Sequence, residues 1–296
     1  MQSFPSDGGA ARPHAAPTPA PWLRGAAACA LAGVVLVLAG CIVIGAGLNV
    51  PWMLAAHGSA PGAFAIFFWS CLTVLGLGSS AFVVLLAADR EKGTLAAVLP
   101  LTFALGGVLT HVPKYLIAEP RPAATAIGAK LHVIGQAFTG AVSMPSGHSV
   151  TAAAAAAVLC VVLARTWSAR AGILLLAALV AMSRVFVGAH WPGDVLVGLG
   201  VGLLVAAIAL ACAAWGGGAR WHAWLAARLA STAGQRAIAL LEVVMAGVLL
   251  SQKTGYPAGQ AMLWLLAVVA VASAALRFGR QRRPAPATPD ASARPL

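Results

Sequence analysis

Three short polar clusters interrupt an otherwise apolar chain between His111 and Asp194. The first begins at Lys114 and ends at Arg121 and Pro122. The second is Pro145, Ser146, Gly147 and His148. The third is Ser183 and Arg184, followed by His190 and Asp194. Phosphoryl transfer asks for fixed positive charge around the phosphoryl oxygens and for a positioned nucleophile. Lys114, Arg121 and Arg184 offer the charge, and the two histidines offer a nucleophile and a proton carrier. Asp194 stands four residues after His190. Its carboxylate can return to one ring nitrogen and fix the tautomer, leaving the other nitrogen to attack. Capping a helix is a plainer task for Asp194, and the two roles are compatible.

Ser146 is a natural cap for a helix opening at Gly147. The amides of Ser146, Gly147 and His148 are then expected to point outward from the positive helix end, where phosphate binds. Gly147 lets an anion approach the backbone closely. Lys114 and Arg121 are seven residues apart, so they share a face if the segment is helical. Pro113 can start that turn, while Pro120 and Pro122 limit it. Each residue also has a bland explanation. Lysine and arginine snorkel to headgroups, and a lone interfacial histidine is more often simply hydrogen-bonded. The conjunction is what points to a phosphoryl site.

The elements that must position these residues are membrane helices. Of 296 residues, 60% are hydrophobic and only 9% charged, where a soluble domain carries roughly 25%. Apolar runs cover 26–48, 62–88, 94–112, 147–164, 171–187, 195–215, 237–250 and 258–276. Each is near the ~20 residues a spanning helix needs, the fifth and seventh being short. The expected fold is therefore all-α, a polytopic membrane bundle of about eight spans: a six-span core plus a C-terminal helical hairpin. Expected divisions are a disordered tail (1–23), the core (24–215), an interfacial linker (216–236), the hairpin (237–277) and a disordered basic tail (278–296). Gly216, Gly217 and Gly218 read as a break. Beyond them, Trp221, Trp224, Leu225 and Leu229 at helical spacing among arginines read as either an interfacial amphipathic helix or a basic loop. Glu242, in the seventh run, needs a polar partner within the bundle, and a structural hydrogen bond is the favoured reading.

The long leading segment and the full length of the first run argue against a cleavable signal peptide. Leu38, Ala39, Gly40 and Cys41 resemble a lipoprotein cleavage box, but such a tetrapeptide arises easily in an Ala/Gly/Leu-rich helix. All five cysteines lie within apolar runs without paired spacing and read as packing residues. The net charge of +12 invites a nucleic-acid reading. Arginines flanking membrane helices explain it better, since no basic face with interleaved aromatics exists outside the loops. With a cytoplasmic N-terminus and eight spans, fourteen cations fall inside and five outside, which sets the orientation. All three clusters then meet at the outer face, the periplasmic side of what reads as a bacterial inner membrane protein.

The clusters together resemble the signature of the type 2 phosphatidic acid phosphatase family, related in site chemistry to vanadium-dependent haloperoxidases. The pattern is Lys-x6-Arg-Pro, Pro-Ser-Gly-His and Ser-Arg-x5-His-x3-Asp, and all eleven fixed positions are met in order. The resemblance covers about 60–215 and leaves the N-terminal tail and the C-terminal hairpin unexplained. It implies His190 as a nucleophile forming a phosphohistidine, oriented by Asp194. It implies His148 as acid and then base, and Lys114, Arg121, Arg184, Ser146 and Gly147 as phosphate ligands. No cofactor or metal is implied. Only Glu119 and Asp194 are acidic near the clusters, too few for a cation cage. The implied substrate is a membrane lipid phosphate: undecaprenyl pyrophosphate, phosphatidate, phosphatidylglycerol phosphate and lipid A all remain open. Transfer to an acceptor other than water is the enzymatic alternative; a transporter or structural protein with a degenerate site is the other. Haloperoxidase activity itself belongs to soluble relatives. The loop 123–142, with Lys130 and His132, is expected to help select the headgroup.

Overall fold

The computed structural model describes residues 19–281 apart from Glu91. All regular structure among the described residues is helical. Eleven α-helices follow one another: α1 (Pro19–Gly45), α2 (Asn49–Ala56), α3 (Ala63–Leu75), α4 (Gly78–Ala88), α5 (Thr94–Ile117), α6 (Gly147–Val162), α7 (Trp167–Phe186), α8 (Pro192–Ala214), α9 (Gly216–Ala230), α10 (Thr232–Ser251) and α11 (Gln260–Gln281). Six of them are long and apolar enough to cross a membrane, α3 and α4 form a bent pair, and α6 is a shorter apolar helix. Counting the bent pair as one span and α6 as another gives the eight expected. The tails read as disordered, 1–23 and 278–296, lie mostly outside the described residues; helix nevertheless reaches into both, from Pro19 and to Gln281.

In lipid the helices gain little from the hydrophobic effect, so close van der Waals packing decides which of them associate. The seam between α1 and α8 shows how. Gly33 and Gly40 on α1 lie against Gly200 and Gly193 on α8, spaced by seven residues on both helices, and a Cβ on Gly33 would fall 2.9 Å from the Gly200 carbonyl oxygen. Only glycine permits that approach. Cys41, next to this seam, lies inside α1 and is exposed.

Two apolar clusters tie the bundle together at its ends. Trp22, Leu95, Val158 and Leu210 join α1, α5, α6 and α8 at one end. Val74, Val187, Leu249 and Leu263 join α3, α7, α10 and α11 toward the other. The C-terminal hairpin thus packs on the core along the α3–α4 side.

Several elements differ from expectation. The apolar run 62–88 is broken by 70° between α3 and α4. A Cβ on Gly76, at the break, would fall 2.8 Å from the His148 Cβ, so only glycine fits there. Ser80 Oγ donates to the Val74 carbonyl at 2.7 Å and so satisfies one acceptor the break exposes. Helix α5 continues through Pro113 to Ile117 and does not restart there. Thr166 caps α7 by accepting from the Ala169 amide, which makes this span 20 residues and no longer short. Likewise α10 starts at Thr232 under the Ser231 cap and reaches 20 residues. The triple glycine does mark a break between helices, α8 ending at Ala214, but not a loop. Gly216 takes a φ of +56° and α9 begins at once. That helix exposes Trp221 and Trp224 and turns His222 inward, its ring 5.2 Å from the Trp22 ring, which decides between surface helix and loop.

Candidate active site

The three clusters converge at one end of the bundle. Lys114 lies in the last turn of α5. Arg121 is not on that helix: Ala118 takes a left-handed conformation at φ 48°, and Arg121 follows on extended chain. The seven-residue spacing therefore acts through a folded-back loop and not through a shared helical face. Loop 118–146 is fastened by Ser143 N–H to the Glu119 carbonyl (2.9 Å), Arg121 N–H to the Gly140 carbonyl (3.2 Å) and Trp191 Nε1 to the Pro120 carbonyl (2.9 Å). Lys114 Nζ donates to the carbonyls of Val142 (2.8 Å) and Ser143 (3.0 Å). It holds the loop as well as facing the site, with one N–H to spare.

Ser146 occupies the cap position of α6, but its hydroxyl makes no cap bond; it accepts from Ser149 Oγ at 2.9 Å. Its amide is also engaged, donating to the Asp194 carbonyl at 3.2 Å. Of the three amides expected to face an anion, Gly147 and His148 are left at the open first turn, where a helix has no internal acceptor. Ser146 itself is fully buried.

His190 sits in the turn between α7 and α8. Its Nδ1 lies 3.4 Å from Asp194 Oδ2 and 3.5 Å from Ser143 Oγ. Ser143 Oγ donates to the same Asp194 oxygen at 2.5 Å. Trp191 N–H donates to it at 3.1 Å, so Asp194 caps α8 while facing His190. On the opposite edge of the ring, Nε2 lies 3.4 Å from Arg121 Nη1. A guanidinium can only donate, so this nitrogen must bear the lone pair and Nδ1 the proton. Burial, then the charges of Arg184, Arg121 and Lys114, push His190 well below the ordinary histidine value, which keeps the ring neutral. The α7–α8 turn is buttressed by α2 residues and their neighbour: Asn49 Oδ1 accepts from the Gly193 amide (2.8 Å), and His57 Nε2 meets the Val185 carbonyl (2.9 Å).

Arg184 is buried near the end of α7. Its Nη1 donates to Thr73 Oγ1 and to Tyr256 Oη, the latter at 3.1 Å. Its Nε is buried without a partner. Arg121 lies over the Phe138 ring, 5.2 Å from its centre. A cavity of about 420 Å³ is lined by Lys114, Arg121, Arg184, Gly147, His148 and His190. From that polar end an apolar wall continues along α4, α5 and α6 through Leu85, Phe103 and Ala154. Lys130 and His132, expected to help select a headgroup, are exposed and line no part of the cavity. Among the described residues no group of three or more His, Cys, Asp or Glu is placed to hold a metal.

Three site residues escaped sequence reasoning. Ser143, Thr73 and Tyr256 are neutral, stand outside any patterned spacing, and reach the site only through tertiary folding. Ser143 lies two residues before the Pro-Ser-Gly-His cluster, the nearest thing to a signal.

Residues 95–217 match the model of the PAP2 superfamily. The resemblance drawn from the three clusters is thereby borne out, and with the apolar helices it supports an integral membrane phosphatase in general terms. Among solved structures, the crystal structure of LpxE from Aquifex aeolicus is similar at 25% identity, with a TM-score of 0.48, over 55% of this chain and 94% of that one. No curated protein matches.

Proposed function

From a segment that carries the PAP2 superfamily match, we propose that this protein hydrolyses a lipid phosphate or pyrophosphate through a phosphohistidine, without a metal ion, from the periplasmic or exterior side of the membrane it spans. The observation that carries the proposal is the single cavity in which three cations and both histidines meet, continued by an apolar wall between membrane helices. Such a wall suits the chain of a lipid whose headgroup enters the polar end.

The chemistry runs in two steps. His190 Nε2 attacks phosphorus in line with the ester or anhydride bond. That bond breaks, and His148 gives a proton to the leaving oxygen. His148 then takes a proton from water, whose oxygen attacks phosphorus, and the phosphorus–nitrogen bond breaks to release phosphate. Lys114, Arg121 and Arg184, with the amides of Gly147 and His148, hold the phosphoryl oxygens in both steps. Asp194, together with Ser143, keeps the proton on Nδ1 and stabilises the positive charge that develops on the ring.

Rapid-quench labelling with an aryl phosphate tests this reading. His190→Ala forms no phosphoenzyme. His148→Ala accumulates an acid-labile, alkali-stable one, because an aryl leaving group needs little protonation while water still needs a base. Labelling of His190→Ala but not of His148→Ala would reverse the two roles. Hydrolysis that EDTA abolishes and Mg²⁺ restores would remove the cation clamp from the mechanism.

A further inference from the structure

The C-terminal hairpin lies outside the matched segment, yet it delivers a side chain to the site. We propose that Tyr256, in the turn between α10 and α11, is a positioning residue that holds Arg184 in its phosphate-binding orientation. The inference rests on the reading of Arg184 as a phosphoryl ligand.

A guanidinium has two usable edges, and fixing one nitrogen decides which edge faces a ligand. In Arg184, Nη1 is held from two sides, by Thr73 Oγ1 on α3 and by Tyr256 Oη at 3.1 Å. The Tyr256 ring also lies beneath the guanidinium, 5.6 Å from Cζ. Rotation about the end of the side chain is thereby blocked. The edge away from Nη1 carries Nε, which is buried and has no partner. A buried arginine N–H without an acceptor is costly. It is the donor an incoming phosphoryl oxygen would satisfy, and Arg184 lines the cavity in which that oxygen would lie.

Tyr256 is itself firmly placed. It is buried in the apolar cluster joining the hairpin to α3 and α7. The preceding Gly255 takes a φ of +78°, and its carbonyl accepts from the Gln136 amide at 2.9 Å. Across the loop, the Tyr256 ring lies 6.3 Å from the Phe138 ring, the one over which Arg121 sits. One aromatic pair therefore underlies two of the three phosphate-binding cations. The hairpin turn is also tied to the α3–α4 break, where Ser79 Oγ donates to Gln252 Oε1 at 2.8 Å.

The test compares purified Tyr256→Phe, Arg184→Ala and the unaltered protein in detergent. Steady-state hydrolysis, inhibition by orthovanadate and the thermal midpoint are measured for each. Vanadate takes a five-coordinate geometry like that of the transferring phosphorus, so its inhibition constant reports how well the cations are placed. Tyr256→Phe keeps the ring and loses only the hydroxyl acceptor. The expected result is an inhibition constant and a KM each raised about tenfold, the scale of one hydrogen bond to a charged group, with the midpoint nearly unchanged. A hydroxyl that served folding alone would lower kcat by reducing the active fraction and leave both constants where they were. That outcome, or no change at all, overturns the positioning role provided Arg184→Ala weakens vanadate strongly. If Arg184→Ala leaves vanadate inhibition intact, the phosphate-binding reading of Arg184 fails, and the role of Tyr256 fails with it.

Discussion

Two buried arginines lie at opposite ends of this bundle, and their surroundings differ in one respect. Every side-chain nitrogen of Arg277 on α11 has a partner. Its Nε donates to both oxygens of Glu242 (3.3 and 3.2 Å), its Nη1 to Gln235 Oε1, and its Nη2 to the carbonyls of Leu86 (2.5 Å) and Asp89 (3.0 Å). Glu242 takes a further bond from Ser273 Oγ at 2.7 Å. The carboxylate whose burial demanded a partner has two, as structural duty requires. Arg184 on α7 keeps its Nε free. A saturated polar cluster fastens helices. An unsaturated one holds a donor open for something not yet bound.

Three measurements test this contrast. The largest effect is expected from Arg277→Ala, which leaves the Glu242 carboxylate buried without its counter-charge, with only Ser273 beside it. Removing one partner of a buried pair costs about 3–5 kcal/mol, so the thermal midpoint in detergent should fall steeply. The KM of whatever folded protein remains should stay unchanged, and a raised KM would make the far network part of the site. Asp194→Asn should do the reverse. The midpoint should move little, since Trp191 can still cap against the amide oxygen, while kcat falls on the order of 10²-fold through loss of tautomer control. Unaltered turnover would reduce Asp194 to a helix cap.

The smallest effect is a pH dependence of stability. His190 is held below its unfolded value of about 6.5. As pH falls below that value the unfolded chain takes up the proton first. The contribution of the neutral ring is therefore complete above 6.5 and declines on acidification, by at most about 1.4 kcal/mol per pH unit. His190→Gln, which cannot titrate, should lose part of the fall in midpoint between pH 7 and pH 5. A steeper fall in the variant would mean that the ring is charged in the folded protein.

The number and order of spans were legible because lipid imposes long apolar runs, and the clusters were legible because charge is conspicuous within them. What hydropathy cannot show is a bend between two apolar halves. At that break Gly76 makes room for the close approach of His148, a contact 72 residues away in sequence. The Arg121 position was reached by a helical argument that the left-handed Ala118 replaces. Thr73 was hidden by an apolar run and Tyr256 by a hairpin outside the pattern. Neither carries charge, so only folding reveals that both meet Arg184.

Helix α6, which opens at the site, has 16 residues. At 1.5 Å per residue it reaches about 24 Å, short of the roughly 30 Å hydrocarbon slab. No residue of α6 is exposed, so neighbouring helices and not lipid surround it, and its shortness imposes no mismatch on the bilayer. On the proposed reading a headgroup must therefore leave the lipid plane and pass between helices to reach the histidines. The apolar wall along α4, α5 and α6, and not the thickness of the host membrane, then governs entry.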